Sequence, residues 1–262
     1  MATATPQHGS LCRVYANAFD LTAFMRNVET KESFNVVDAT GFGATGSAHV
    51  VDPRAQGSIN ADGMFVSSSP LATPAVTGGT VHDMMTAAIG QADSFIAHVI
   101  TDIVGGSAGI MYGTVDDYKV ENKTQDVVGA SLTSQSNVGI DWCEVLHPVL
   151  NTVETAAGSS TYVDDGAAAP TGTGGVAYLM VLSETGTSIT PNLQSCATAG
   201  GVYVDVTAGA FSAVATPVTG GVAFCQRLVI PSSSTINRYV KCAWTGTFNP
   251  CAFLMLFARN PS

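Results

Sequence analysis

The chain predicts an all-β fold of two β-sandwich domains, the first carrying one short amphipathic helix. Three observations point there. Short runs of β-branched and aromatic residues recur along both halves, separated by Gly, Pro, Ser and Thr. A single segment shows clear helical spacing. The third is composition: 11% of the 262 residues are charged and 46% are hydrophobic, against roughly 25% charge in an ordinary soluble domain. So little charge leaves a neutral surface of small residues, suited to being covered by copies of the same chain.

In the first half, segments 11–17, 33–38, 58–66, 94–101, 110–114, 118–124 and 127–135 have the composition and partial alternation of strands. Segment 80–91 (TVHDMMTAAIGQ) differs. Val81, Met84, Met85, Ala88 and Ile89 recur at helical spacing, Thr80 is a suitable N-cap and Asp83 lies in the first turn. This predicts a short helix laid on a sheet, with the Met pair as core filler. Segment 154–175 is rich in Gly, Ala, Ser, Thr and Pro, with few large apolar anchors, and reads as a linker. It divides the chain into domains 1–153 and 176–262. In the second, strands are expected at 176–182, 201–207, 223–230, 238–244 and 251–258, a spacing that suits a sandwich. Segment 251–258 is apolar on both faces, as befits a central strand or one covered by another subunit.

Composition also excludes function classes. A net charge of -10, from 20 acidic and 10 basic residues, argues against tight binding to nucleic acid or an anionic membrane. The longest apolar stretch is far below the roughly 20 residues of a membrane-spanning helix. No basic region followed by an apolar run marks a secretory signal, so synthesis in a cytosol is the expectation. The six cysteines show no CxxC or Cys/His cluster, so no metal is expected. Cys242 and Cys251 flank a turn expected at 245–250; buried free thiols are the default reading, and a disulfide across a hairpin is possible only in an oxidising medium.

Apparent active-site signals do not survive inspection. Gly41 to Gly46 (GFGATG) has GxGxxG spacing, but the following SAHVVD does not continue as the helix that a dinucleotide site needs. His8, His49, His82, His98 and His147 are scattered, and the adjacent pairs Asp116/Asp117 and Asp164/Asp165 point to opposite strand faces. No GxSxG elbow occurs. No catalytic residue and no cofactor is expected.

The opening run His8-Gly-Ser, Val14 to Asn17, Phe19-Asp-Leu-Thr-Ala-Phe24 and Thr40-Gly-Phe-Gly-Ala-Thr45 resembles tail tube (major tail) proteins of long-tailed bacteriophages. The stretch GSINADGMF from Gly57 resembles their next strand, and Val81 to Gly90 holds the place of their single helix. Gly174 to Tyr178, Asn237 to Val240, Trp244 to Thr247 and Phe253 to Arg259 are similar to the β-domain appended to some of these proteins. Each motif is short, and the weight lies in their collinearity. Read alone, Asp62-Gly63 signals a hairpin turn; the family pattern runs one strand through it with Gly63 at a bulge or close approach, and that reading is preferred.

The resemblance implies a structural virion protein of the tail, made in the bacterial host cytoplasm. It implies stacked rings, usually hexameric, around a channel for DNA ejection, with other tail proteins as partners and no membrane. A long assembly loop between early strands reaches the neighbouring subunit; here it falls at about 36–54. The interface residues so implied are Val37, Asp38, Thr40, Gly41, Phe42, Gly43, Thr45 and Val51, with Phe42 as the large apolar anchor. An acidic lumen suits passage of double-stranded DNA without sticking. Alternative roles are a capsid decoration or head-completion protein, or an adhesin or carbohydrate-binding module in residues 176–262.

Overall fold

Alternating burial shows why these segments are strands: in β7, for example, Ala130, Leu132, Ser134 and Ser136 face inward while their neighbours face out. A computed structural model describes residues 9–38, 49–64, 81–91, 93–121, 128–136, 138–150, 152–166, 174–214 and 224–259. The first half contains β1 (Arg13–Ala16), β2 (Phe19–Asp20), β3 (Met25–Asp38), β4 (His49–Met64), α1 (Val81–Ala88), β5 (Ser94–Val99), β6 (Ser107–Glu121), β7 (Gly129–Ser136) and β8 (Asp141–His147). The second contains β9 (Gly158–Ser159), β10 (Val163–Asp164), β11 (Gly175–Cys196), β12 (Val204–Ala210), β13 (Phe224–Ile230) and β14 (Tyr239–Arg259). The all-β expectation holds, and the helix falls where its spacing placed it, with Met85 and Ala88 in the core.

All the strand pairings named below are antiparallel. One path runs β12-β11-β14-β8-β6-β5-β1-β2, with β13 beside the first part of β11. The N-terminal half of β6 belongs to this path; its C-terminal half pairs with β7, which continues through β4 to β3. Segments 110–114 and 118–124, expected as separate strands, thus lie largely on one strand, which passes to β7 after Gly113 and shifts register within that second ladder, between Val115 and Asp117. Strand β8 was not expected from the sequence, because its buried positions include the polar His147 and its exposed ones include Trp142.

At Asp62-Gly63 one strand runs through, as the family pattern has it. A Cβ on Gly63 would lie 2.0 Å from the Phe24 carbonyl oxygen, so the close approach of the β3 entry requires glycine.

Segments 238–244 and 251–258 are also one strand rather than two. β14 pairs with β11 from Tyr239↔Cys196 to Arg259↔Gly175, and the expected turn continues the ladder through Thr245↔Thr190 and Phe248↔Gly186. Gly246 and Gly186, at φ 135° and 149°, absorb the irregularity there. Cys242 and Cys251 consequently sit on separate rungs of the same strand, opposite Leu193 and Glu184, and cannot face each other. Both are free thiols, and burial pushes that of Cys251 up to about 12.

The apolar double face of 251–258 marks a central strand. Phe253, Met255 and Phe257 enter a core with Ala177, Leu179, Val181, Ile189 and Trp244. Leu254, Leu256 and Ala258 face the other way, into a core shared with Tyr15, Ala97, Ile110, Cys143 and Val145 of the first half. A third core lies around Val14, Leu21, Ile59, Met85, Ile96 and Leu132. The strands of the two halves therefore share a wall. Residues 154–166 of the expected linker are stitched to it, because Glu154 bridges Cys251 and both β9 and β10 pair with β14. The physical reason is that β11 and β14, apolar on both faces, need cover on both sides, and the first half supplies the second cover.

Polar groups tie this seam. Buried His147 donates from Nδ1 to the Phe253 carbonyl (2.9 Å), stacks on the Phe253 ring and places Nε2 3.3 Å from Glu154. Buried Asp102 accepts the backbone N–H groups of Val149 (3.1 Å) and Leu150 (2.8 Å). Glu144, paired with Phe257 of β14, has Oε2 buried without a hydrogen-bond partner. Burial, with the Asp165 charge adding and Arg259 opposing, raises its carboxyl to about 7. A carboxyl raised on folding favours the native state fully below its unfolded value, about 4.5, and that contribution is lost as pH rises through about 7. Glu144→Gln should therefore raise stability at pH 8 by about 1 kcal/mol, allowing for partial solvent screening, and change it little at pH 4. Thermal unfolding at the two pH values checks this; equal shifts at both would remove the ionisation as the cause.

Candidate functional site

The strongest candidate for a working surface is the hairpin of β3 and β4 together with its root. β4 pairs with β7 only from Gly57↔Ser136 to Met64↔Gly129. Among the described residues, the part of β4 before Gly57 pairs with β3 alone, so a two-stranded arm extends past the edge of its sheet. Its rungs run Ser33↔Gln56, Phe34↔Ala55, Val36↔Val51, Val37↔Val50 and Asp38↔His49. The register shift between Phe34 and Val36 spans Asp52-Pro53-Arg54, where Pro53 has no N–H to give the ladder. β3 is an edge strand along its length, with open backbone donors and acceptors on its far side among the described residues.

At the root, Glu32 of β3 holds the neighbouring ladder. It accepts the Trp142 indole N–H at 3.0 Å and the Ile140 backbone N–H at 3.3 Å. Gly109 makes room for this crossing, since a Cβ there would lie 3.2 Å from both Ile140 Cγ2 and Thr30 Cγ2. Around Glu32 the surface is apolar and open. Phe34, two residues along the same face of β3, is 53% exposed, Trp142 is 50% exposed and Val138 is 73% exposed. Large apolar side chains exposed near one another make this surface a candidate for interaction.

Of the residues implied by the resemblance, Val37 and Asp38 lie on β3 and Val51 on β4, brought together on the arm. Thr40, Gly41, Phe42, Gly43 and Thr45 lie outside the described residues. Of the loop expected at 36–54, residues 36–38 and 49–54 are strand, and the rest lies outside the described residues. Glu32, Phe34, Val138 and Trp142 were not singled out by sequence reasoning. An available signal was Trp142 itself, one of two tryptophans in the chain, beside acidic Asp141 on a strand.

The Cys/His contact is not a nucleophile site. Cys12 Sγ lies 3.3 Å from His98 Nε2, whose other nitrogen is 2.8 Å from Thr30 Oγ1. Burial raises the thiol and lowers the imidazole, so both stay neutral rather than forming a thiolate–imidazolium pair. Asp164 and Asp165, expected on opposite faces, serve different arginines: Asp164 binds Arg238 (2.6 and 2.9 Å) and Asp165 binds Arg259.

No protein-family model matches the chain, and no curated protein matches it. Among solved structures, it is similar to a chain from the virion of a native gene transfer agent particle, at 14% identity and a TM-score of 0.37, over 52% of this chain and 98% of that one. It is similar to a chain from the tail of an empty gene transfer agent particle with C6 symmetry, at 15% identity and a TM-score of 0.34, over 52% and 97%. It is also similar to the SPP1 Dit protein, described as a paradigm of the hub adsorption apparatus in phages infecting Gram-positive hosts, at 13% identity and a TM-score of 0.31, over 95% and 99%. At these TM-scores the likenesses decide nothing about function.

Proposed function

We propose that the chain is a structural tail protein of a phage or phage-like particle, assembling with its own copies into stacked rings that form a tail tube for DNA ejection. One observation carries this reading: the β3–β4 arm projects beyond its sheet with an open edge strand on one side and Phe34, Val138 and Trp142 exposed at its root. An edge of unpaired backbone groups beside an apolar patch is suited to extending a sheet into a neighbouring copy. Of the collinear tail-tube motifs, the stretch from Gly57 lies on β4, and the interface residues implied by the resemblance, Val37, Asp38 and Val51, lie on the arm. The formal charge of -10 fits a channel to which DNA does not adhere.

Negative-stain electron microscopy of the purified protein across a concentration series tests the proposal. Hollow rings or tubes, with a channel wide enough for a DNA duplex, are expected, and rotational averaging of end-on views gives their symmetry. Deleting Gly41 to Gly46, or changing Phe42→Asp, should leave the subunit folded and stop polymerisation. Persistent monomers, or trimers without a channel, would replace the tube reading with that of a capsid decoration protein.

A further inference from the structure

The C-terminal half carries a second surface with no part in the assembly reading. On the solvent face of β14, Tyr239 and Lys241 alternate with buried Val240 and Cys242. Just before β10, Tyr162 stacks on Tyr203 (ring centroids 6.2 Å apart) and meets Tyr239 edge-on (5.4 Å). Tyr162 is nevertheless 46% exposed. Its backbone is fixed between β9 and β10, each paired with β14. The result is an aromatic ring held in place by two others while presented to water.

Hydrogen-bonding groups flank these rings in fixed positions. One rung places Lys241, Gln194 and Asp205 side by side across β14, β11 and β12. Gln194 donates to Asp205 (2.8 Å), and Lys241 donates to Ser159 (3.2 Å) while its ammonium lies 4.6 Å from the Tyr203 centroid. Arg238, 5.3 Å from the Tyr239 centroid, is held by Asp164 through two hydrogen bonds. The patch thus offers an ammonium donor, an amide that can donate and accept, and a carboxylate acceptor. Arg238 is paired with Asp164, and Asp205, two strands from Lys241, brings the patch to two cations and two carboxylates.

That combination selects a ligand class. A polyphosphate or nucleic acid needs an excess of cations, which a patch holding as many carboxylates as cations does not provide. A proline-rich peptide docks in an aromatic-lined groove, whereas the exposed ring here lies on an open strand face. A neutral sugar has an apolar C–H face for stacking on a ring and hydroxyls that both donate and accept. We infer that the face formed by Tyr162, Tyr239, Lys241, Gln194 and Asp205 is a binding site for a neutral saccharide. Holding Tyr162 rigid before binding lowers the ordering cost of a weak contact. The inference does not rest on the ring-assembly reading, and either can fail without the other.

The test is binding of the fluorescently labelled full chain to an array of neutral and anionic oligosaccharides, including glucose-, galactose- and N-acetylhexosamine-containing glycans, followed by titration of the strongest neutral glycan. Binding of a neutral glycan is expected. Tyr162→Ala should weaken it roughly ten-fold and Tyr162→Phe should retain it, because the ring supplies the contact. Gln194→Ala, which spares the aromatic cluster, should weaken it as well, with unfolding temperatures unchanged for all three variants. Absence of neutral-glycan binding at millimolar concentration would overturn the inference. So would equal binding by Tyr162→Ala, or binding confined to anionic glycans, nucleic acid or proline-rich peptide.

Discussion

Replacing Leu256 with Ala should destabilise the whole chain by about 2–5 kcal/mol, and both halves should unfold together. Leu256 is fully buried on the side of β14 that faces Tyr15, Ala97, Ile110 and Val145 of the first half. Truncation there leaves a cavity in the wall the two halves share, with little freedom to collapse, since β14 is pinned by β11 on one side and β8 on the other. The two tryptophans make the coupling measurable. Trp142 reports from β8 and Trp244 from the core of the second half. Single-tryptophan variants (Trp142→Phe and Trp244→Phe), each with and without Leu256→Ala, should give coincident denaturant midpoints for the two probes in each background. Separate midpoints, with only one moved by Leu256→Ala, would show two independently folding units divided at the glycine- and alanine-rich segment 154–175.

The second large effect is on assembly. Phe34→Asp should raise the protein concentration needed for polymer formation by about 100-fold while leaving the unfolding temperature unchanged. The side chain is half exposed in the single subunit, so a carboxylate there costs the fold little. Buried against a neighbouring copy, an unpaired carboxylate would cost several kcal/mol, and each 1.4 kcal/mol is a factor of ten in association. Val202→Asp is the control, because Val202 is 85% exposed and lies in the other half. Sedimentation of polymers against concentration gives the result. Polymers formed normally by Phe34→Asp would remove the root of the arm from the interface.

Much of the β-architecture was legible because it is written in local patterns. The period-3.6 spacing of segment 80–91 placed α1 within a residue or two at its start, and the apolar run 251–258 announced a strand covered on both faces. What local pattern could not reveal was where a strand continues through residues that usually end one. Thr245 to Pro250 has turn composition, yet the ladder with β11 carries it forward, and Gly186 supplies the matching irregularity on the partner strand. The possible disulfide between Cys242 and Cys251 went with that turn, leaving the buried free thiols of the other reading. Likewise β8 looks unlike a core strand because His147 is buried through bonds to Phe253 and Glu154, neither of them near it along β8.

By itself the sequence determined the all-β class, the place of α1 and the low share of charge, since each depends on composition or on spacing within a few residues. Only the tertiary structure decided that the two halves share the wall of β11 and β14, that a two-stranded arm extends beyond its sheet, and that Tyr162, Tyr203 and Tyr239 meet on one face. Those features are pairings between residues far apart in the chain. They are selected by which apolar faces can cover one another, and local preference does not encode that choice.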